Sequence, residues 1–137
     1  MNSYIISIQM QHAVHFTLTE ARQALRNLMP YISNMIILKK VLDETGYDIY
    51  NHHYFGGVGT NGTGEHPPEL DELIKCLKII TESGVIIKGM DNGLIDFPHL
   101  RSNGAEVYLC YLYGEGDILY WHTLADGFQG RKSINEL

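Results

Sequence analysis

Four side chains able to do acid–base or ionic chemistry fall in the last third of the chain. They are Asp96, His122, Asp126 and Arg131, set among aromatic residues and turn-forming glycines. An imidazole whose ring is oriented by a carboxylate is a typical general base or metal ligand. A nearby guanidinium can bind a carboxylate or a phosphate. These residue types predict a site in this segment, but their spacing dictates no particular reaction.

Asp96 lies between apolar neighbours in the run Gly93-Leu94-Ile95-Asp96-Phe97-Pro98. Burying a carboxylate there is costly unless it is paired, so we expect Arg101 or Arg131 as its partner. Asp96 is open to two interpretations, a structural ion pair at a strand end or a catalytic carboxylate. Arg101 is likewise either an ion-pair residue or a residue that binds an anion.

His122 follows Trp121 where a predicted strand ends. One interpretation makes His122 a general base or metal ligand, with Asp96 or Asp126 orienting its ring. The other makes it a histidine bonded to the backbone. Trp121 is expected to pack in the core, although it is retained as a candidate binding residue.

The segment from Asp126 to Arg131 places two glycines around an aromatic residue, Phe128. Glycine allows backbone angles that other residues avoid. Either the segment is a tight turn anchored by Phe128 in the core, or it is a binding loop. In the second case Arg131 would hold a carboxylate, a phosphate or an acidic group of a partner.

Spacing alone marks no metal site and identifies no cofactor. Zinc needs three or four converging ligands, and adjacent histidines in a loop are seldom both ligands. The candidate metal ligands are His122, Asp126, His52 and His53.

The two cysteines are predicted to be reduced and buried. Cys76 falls in a helical pattern and Cys110 in a strand pattern, without CxxC spacing and without a histidine at metal-ligand spacing. No serine, threonine or cysteine lies in a recognisable nucleophile motif.

The composition excludes several classes of function. Hydrophobic residues make up 45% and charged residues 19% of the 137 residues, which is typical of one globular domain. The net charge of -6 argues against nucleic-acid binding. There is no apolar run of about 18 residues, which argues against a membrane span. The first residues lack the basic region of a secretory signal, so we expect a cytoplasmic protein.

The first half of the chain predicts two helices. Thr17 and Glu20 form a capping-box pattern, followed by apolar rows seven residues apart and by Gly46 at the end. Pro67-Pro68 opens the second helix, and Gly84 ends it. The apolar stripe predicted for the second helix contains Leu70, Leu73, Ile74, Leu77 and Ile80. The stripes predict that the two helices pack as an antiparallel hairpin.

The second half predicts short antiparallel strands. We expect one strand over 85–88, a second over 94–97 stopped by Pro98, and a hairpin of Glu106–Leu112 with 118–122. The hairpin register places Leu109, Tyr111, Leu119 and Trp121 on one face and six residues on the other. That second set is Tyr108, Cys110, Leu112, Ile118, Tyr120 and His122. Both faces are largely apolar, so each should be covered, one by the helices and the other by a loop or a second subunit.

The predicted fold class is α+β, a long two-helix antiparallel hairpin packed on a small antiparallel β-sheet. A single domain, 1–137, is divided into an N-terminal arm or edge strand (1–14), the helical hairpin (17–83) and the sheet with its C-terminal loop (85–132). Residues 47–66 form a glycine-rich loop within the hairpin. The apolar rows of the first helix, which suit a partner helix, and the two apolar faces of the sheet favour a homodimer.

Several motifs together resemble the prokaryotic domain of unknown function 2203. They are Phe16-Thr17-x-x-Glu20-Ala21, Met29-Pro30, Gly93 to Pro98, Val107 to Cys110, Trp121-His122 and Gly127-Phe128-x-Gly130-Arg131. The resemblance runs from His15 onward, with a specific C-terminal signature and a generic helical part. The chain departs from the pattern in its longer, glycine-rich loop 47–66 and in Ser133, where a proline often stands. The resemblance implies no activity, substrate or cofactor.

Two classes of function are consistent with these observations. The first is a binding module whose loop 126–131 docks an acidic protein or a small anionic ligand. The second is a small enzyme, with or without a divalent metal as cofactor, and its active-site cleft would be formed by four residues: Asp96, His122, Asp126 and Arg131. The sequence favours the first class, because no spacing dictates chemistry.

Overall fold

The computed structural model describes residues 10–51, 53–54 and 66–137. These residues form an α+β fold. The helices are α1, Leu18–Glu44, and α2, Pro68–Glu82. The strands are β1 Tyr47–Asp48, β2 His53–Tyr54, β3 Ile86–Gly89, β4 Leu94–Leu100, β5 Glu106–Leu112, β6 Tyr120–Thr123 and β7 Lys132–Ser133.

Helix α1 begins at the predicted capping box. The Thr17 hydroxyl accepts a hydrogen bond from the Glu20 amide at 3.0 Å, and the Glu20 carboxylate accepts one from the Thr17 amide at 2.9 Å. The helix runs through Pro30 and ends before Gly46, whose φ of 84° suits glycine. Of the seven residues in the two predicted apolar rows, Leu18 is half-buried and six are buried: Ala21, Leu25, Leu28, Ile32, Met35 and Leu42.

The two helices pack antiparallel, as predicted. Where α1 ends and α2 begins, the Tyr47 hydroxyl lies 3.4 Å from Nδ1 of His66. At the opposite end, a Cβ on Gly84 would come within 2.8 Å of the Val14 side chain, so the start of α1 and the end of α2 are neighbours.

The predicted stripe of α2 was partly wrong. Cys76 is buried with Leu70, Leu73 and Ile80, whereas Ile74 is exposed. Positions three and four apart share a helix face, and the buried set 70, 73, 76 and 80 follows that spacing.

A buried lysine joins the helical layer to the sheet. The Lys39 side chain is 4% exposed. Its ammonium group lies 2.8 Å from the carboxylate of Asp43 and 2.9 Å from that of Asp91, and Asp91 belongs to the turn between β3 and β4. Burial lowers the pKa of Lys39, but the hydrogen bonds to the two aspartates outweigh it and raise the pKa above its ordinary value. The charge is therefore kept and paired.

Strands β3 to β7 form one antiparallel sheet in the order β3-β4-β5-β6-β7. The prediction that Pro98 stops the second strand was wrong, because β4 continues to Leu100 and Pro98 pairs with Tyr108 of β5. Strand β3 pairs with β4 only as far as Asp96, so no strand that the structure describes needs a donor from Pro98. The Pro98 carbonyl instead accepts a hydrogen bond from the Phe16 amide at 2.7 Å.

The sheet has two buried faces, as the hairpin register predicts. The inner face packs on the helices and carries Ile95, Phe97, Leu109, Tyr111 and Trp121. The outer face carries Asp96, Tyr108, Cys110, Tyr120 and His122, since residues paired in register or two apart share a face.

Ile118 and Leu119 depart from the predicted hairpin, and Leu119, predicted to share the face of Trp121, is 41% exposed. Strand β6 starts at Tyr120, and Ile118 precedes it in an irregular stretch. Its side chain belongs to the core shared with the helices, and its carbonyl accepts a hydrogen bond from Arg22 of α1 at 2.8 Å.

Some predictions fall outside the described residues. These concern His52, the side chain of His53, the glycine run 56–64 and the first nine residues. Among the described residues, neither helix is long and apolar enough to cross a membrane.

The capping box provides a test of how α1 begins. Thr17→Ala is expected to lower the free energy of unfolding by about 1 kcal/mol, because the Glu20 amide loses its acceptor. Thr19→Ala, at an exposed position in the first turn, is the matched control and should change stability by less than about 0.5 kcal/mol. Urea unfolding measures both, and equal effects would contradict the capping role.

Candidate metal centre

Three neighbouring strands bring together a carboxylate, a thiol and an imidazole on the outer face. Asp96 of β4 stands opposite Cys110 of β5, and His122 of β6 reaches across β5 to Asp96. One ligand atom from each residue lies within 4.8 Å of the other two. Asp96, Cys110 and His122 are only 1%, 0% and 3% exposed. We call these three residues the outer-face cluster.

Both nitrogens of the His122 ring have partners. Nε2 lies 3.2 and 3.1 Å from the two Asp96 oxygens, and Nδ1 lies 2.7 Å from the Thr123 carbonyl. A carbonyl can only accept, so Nδ1 carries a proton and donates it. Burial lowers the pKa of His122, but the hydrogen bonds to Asp96 and Thr123 outweigh it and raise the pKa.

Cys110 is held as a neutral thiol by its surroundings. Burial, followed by the charge of Asp96, raises the pKa of Cys110 to about 12. The Cys110 sulfur lies within 4.8 Å of an Asp96 oxygen, so the thiol and the His122 ring are both neighbours of this carboxylate. A thiol with so high a pKa is a poor nucleophile, which argues against covalent catalysis by Cys110 in the metal-free protein.

Tyr108 lies at the border of the outer-face cluster. Its ring is 5.4 Å from the His122 ring and 5.3 Å from the His12 ring, and its hydroxyl is 2.6 Å from Nε2 of His12. The Lys88 ammonium group lies 5.0 Å from the centre of the Tyr108 ring. Burial raises the pKa of Tyr108, and the charges of Asp96 and Glu106 raise it further.

A segment before α1, Met10–His15, approaches this face and is called the 10–15 segment. The Glu106 carboxylate accepts hydrogen bonds from the amides of Gln11 and His12, at 2.8 and 3.1 Å. Nε2 of His15 lies 2.7 Å from the same carboxylate. Burial raises the pKa of Glu106, but these contacts outweigh it and hold the pKa below its ordinary value.

The prediction that Asp96 pairs with Arg101 or Arg131 was wrong. The partner of Asp96 is His122, supplied across β5 by the register of three strands. Arg101 instead donates to the Glu136 carbonyl at 3.3 Å and lies 4.5 Å from the Trp121 ring.

Arg131 is paired within the molecule. Its guanidinium donates to both oxygens of Glu115, at 2.6 and 2.8 Å, and lies 4.0 Å from the Tyr120 ring and 4.5 Å from the Phe128 ring. Phe128 is 44% exposed, so the interpretation of this segment as a turn anchored in the core by Phe128 was wrong. The predicted role of Arg131 toward an outside acidic group stays a prediction.

Asp126 does not take part in the outer-face cluster. It is exposed, its amide donates to Thr123, and its nearest cation is Lys132 at 3.9 Å. Trp121 is buried on the inner face, as expected of a core residue, and donates to the Ser133 carbonyl at 3.1 Å. Of the four residues proposed for an enzyme, the structure therefore joins Asp96 and His122 directly.

Sequence reasoning missed Cys110 as a member of the site. Local spacing rules detect ligands that are close along the chain, whereas Cys110 meets Asp96 and His122 across strands. The signal was present in the predicted hairpin register, which already placed Cys110 and His122 on one face.

The fold and the outer-face cluster together define a small α+β protein with a buried Asp–Cys–His site. The chain belongs to the family described as "Uncharacterized conserved protein (DUF2203)", whose model matches residues 15–134. No curated protein and no solved structure matches the chain. Membership assigns no activity, so the function must be argued from the site.

Removing the Asp96 charge tests the ion pair. Asp96→Asn is expected to lower the free energy of unfolding by about 1–3 kcal/mol, because buried hydrogen bonds to a charged group are lost. Asp126→Asn changes an exposed carboxylate and should alter stability by less than about 0.5 kcal/mol. Urea unfolding of both variants at neutral pH measures the difference, and similar small effects would show that the pair contributes little.

The same pair predicts a pH dependence of stability. Because the folded pKa of His122 is raised above its ordinary value of 6.5, the stability that the charged ring contributes is fully present below pH 6.5. The contribution is lost as the pH rises through the raised folded pKa. The stability gap between wild type and Asp96→Asn should therefore narrow as unfolding is measured from pH 6 toward pH 9. A gap that widens over this range would contradict the assignment.

Proposed function

We propose that this protein binds one divalent transition-metal ion, of which zinc fits best, at the outer-face cluster. The observation that supports this proposal is the convergence of three different ligand atoms within 4.8 Å of one another at buried positions. Buried titratable groups of three kinds in one place are typical of metal sites.

The donor set selects the class of metal. A thiolate, an imidazole and a carboxylate suit zinc, whereas calcium and magnesium prefer oxygen ligands alone. Metal–ligand bonds of about 2.0–2.3 Å in a tetrahedron place ligand atoms roughly 3.3–3.8 Å apart. His122 Nε2 lies 3.1–3.2 Å from the Asp96 oxygens, which is close to that spacing.

The surroundings of His122 and Cys110 suit metal binding. The Nδ1 proton of His122 is bound to the Thr123 carbonyl, which leaves Nε2 as the ligand and fixes the ring. A metal ion deprotonates a coordinating thiol, so Cys110 would bind as a thiolate. Together with Asp96, the thiolate would then balance the charge of a dication.

Binding is favoured over catalysis as the role of the metal. Three protein ligands leave one coordination position, as in catalytic zinc sites. However, all three ligand side chains are at most 3% exposed, and a reaction would need substrate to reach the metal. We therefore place a metal-binding protein first and a metal-dependent enzyme using Asp96 and His122 second.

Cobalt substitution tests the proposal, because Co²⁺ takes zinc sites and a thiolate ligand adds a charge-transfer absorption. The reduced full chain should bind one Co²⁺ with that absorption, and added Zn²⁺ should displace it. Cys110→Ser should abolish the absorption. Cys76→Ser is the matched control, since Cys76 is also a buried free thiol, and should leave it unchanged.

Two results would overturn the proposal. One is the absence of stoichiometric binding of Co²⁺ and Zn²⁺ by the folded wild-type chain. The other is retention of the absorption by Cys110→Ser with its loss in Cys76→Ser.

A further inference from the structure

We propose that the 10–15 segment is a strap over the metal site and that Glu106 holds it closed. In this proposal, which rests on the proposed metal binding, one carboxylate sets how fast metal reaches and leaves the outer-face cluster. The 10–15 segment would then regulate exchange without supplying a ligand.

Strand β5 connects the strap to the metal site. Glu106, Tyr108 and Cys110 alternate along β5, so their side chains lie in one row on the outer face. Glu106 holds the 10–15 segment, Tyr108 contacts His12 from that segment, and Cys110 is the ligand. The Tyr108 ring also contacts the His122 ring, so the strap touches a residue that borders one of the ligands.

The helices do not provide this cover, because they pack on the inner face. The 10–15 segment reaches the outer face and then turns at Phe16 toward the inner one. Phe16 is fixed there by the hydrogen bond that its backbone amide donates to the Pro98 carbonyl. Its ring also packs edge-on against the Phe97 ring, with 5.5 Å between the centroids. The strap therefore has a firm anchor at its C-terminal end.

The contacts that close the strap depend on one carboxylate. Two backbone amides and the His15 ring all bind Glu106, and its side chain is only 7% exposed. Among the described residues, the other side-chain hydrogen bond of the strap is the one between His12 and the Tyr108 hydroxyl. Opening the strap thus requires these few polar contacts to break together, while the sheet and helices stay packed.

Glu106→Gln tests the strap, because glutamine keeps the size of the side chain but loses its charge and one acceptor oxygen. Hydrogen bonds to charged groups contribute about 1.5–3 kcal/mol, which corresponds to roughly 10- to 100-fold in rate. Release of Co²⁺ to excess chelator should accelerate by about that factor, and so should uptake. Because a gate changes both rates equally, the dissociation constant should stay within about threefold.

Two controls separate a strap from general destabilisation. Glu136→Gln alters an exposed carboxylate and should leave both rates unchanged. Thr17→Ala weakens the fold at the helix cap without touching the 10–15 segment. If Thr17→Ala accelerates exchange as much as Glu106→Gln does, global opening is the cause and the strap is refuted.

If Glu106→Gln folds poorly, His15→Ala takes its place as the test variant. It removes only one of the contacts to Glu106 and should give a smaller acceleration of both rates.

A second readout does not need metal. In the metal-free Cys76→Ser background, Cys110 is the single thiol, and its reaction with a neutral thiol reagent reports access to the outer-face cluster. Glu106→Gln should raise that rate about tenfold or more, and Glu136→Gln should not. If wild type binds no metal but the thiol result holds, the proposed function fails and the strap stands. Unchanged thiol reactivity and exchange in Glu106→Gln would overturn the strap.

Discussion

Burial of the Asp96 carboxylate is the constraint on which the outer half of the molecule depends. An ion removed from water loses several kcal/mol of hydration unless partners replace it. Here the partners are the His122 ring and the Cys110 thiol, and each comes from a different strand. The contacts exist only if β4, β5 and β6 keep one register. A slip of one residue would send Asp96 into the apolar inner face.

The sequence predicts the elements of this fold better than it predicts their polar contacts. The capping box, the α1 rows and the pairing of Leu109 with Trp121 follow from local chemistry and periodicity, and the structure confirms them. The partner of Asp96 could not be derived in that way, because it depends on how β4 aligns with β5. Arginine was expected on the ground of charge, whereas the register supplied a histidine and a thiol.

Other misses have equally local causes. Pro98 was interpreted as the end of a strand, because proline has no N–H group to donate between strands. However, the pairing of β3 with β4 stops at Asp96, so β3 needs no donor from Pro98. One of the two interpretations of the segment 126–131 had Phe128 anchoring a turn in the core, yet Phe128 lies exposed beside the Arg131 guanidinium. The homodimer, the cytoplasmic location and an acidic partner stay predictions, because the structure of one chain tests none of them.

The position of Pro98 also bears on how the molecule behaves among its own copies. Beyond Asp96, none of the strands in the described part of the chain lies beside the side of β4 that faces away from β5, and such an edge is a template for pairing with another chain. Pro98 has no backbone N–H group to donate, and its carbonyl already accepts a hydrogen bond from the Phe16 amide. A foreign strand would therefore meet neither donor nor free acceptor there. The residue that the sequence predicted as the end of a strand thus offers another chain no hydrogen-bonding group for strand pairing.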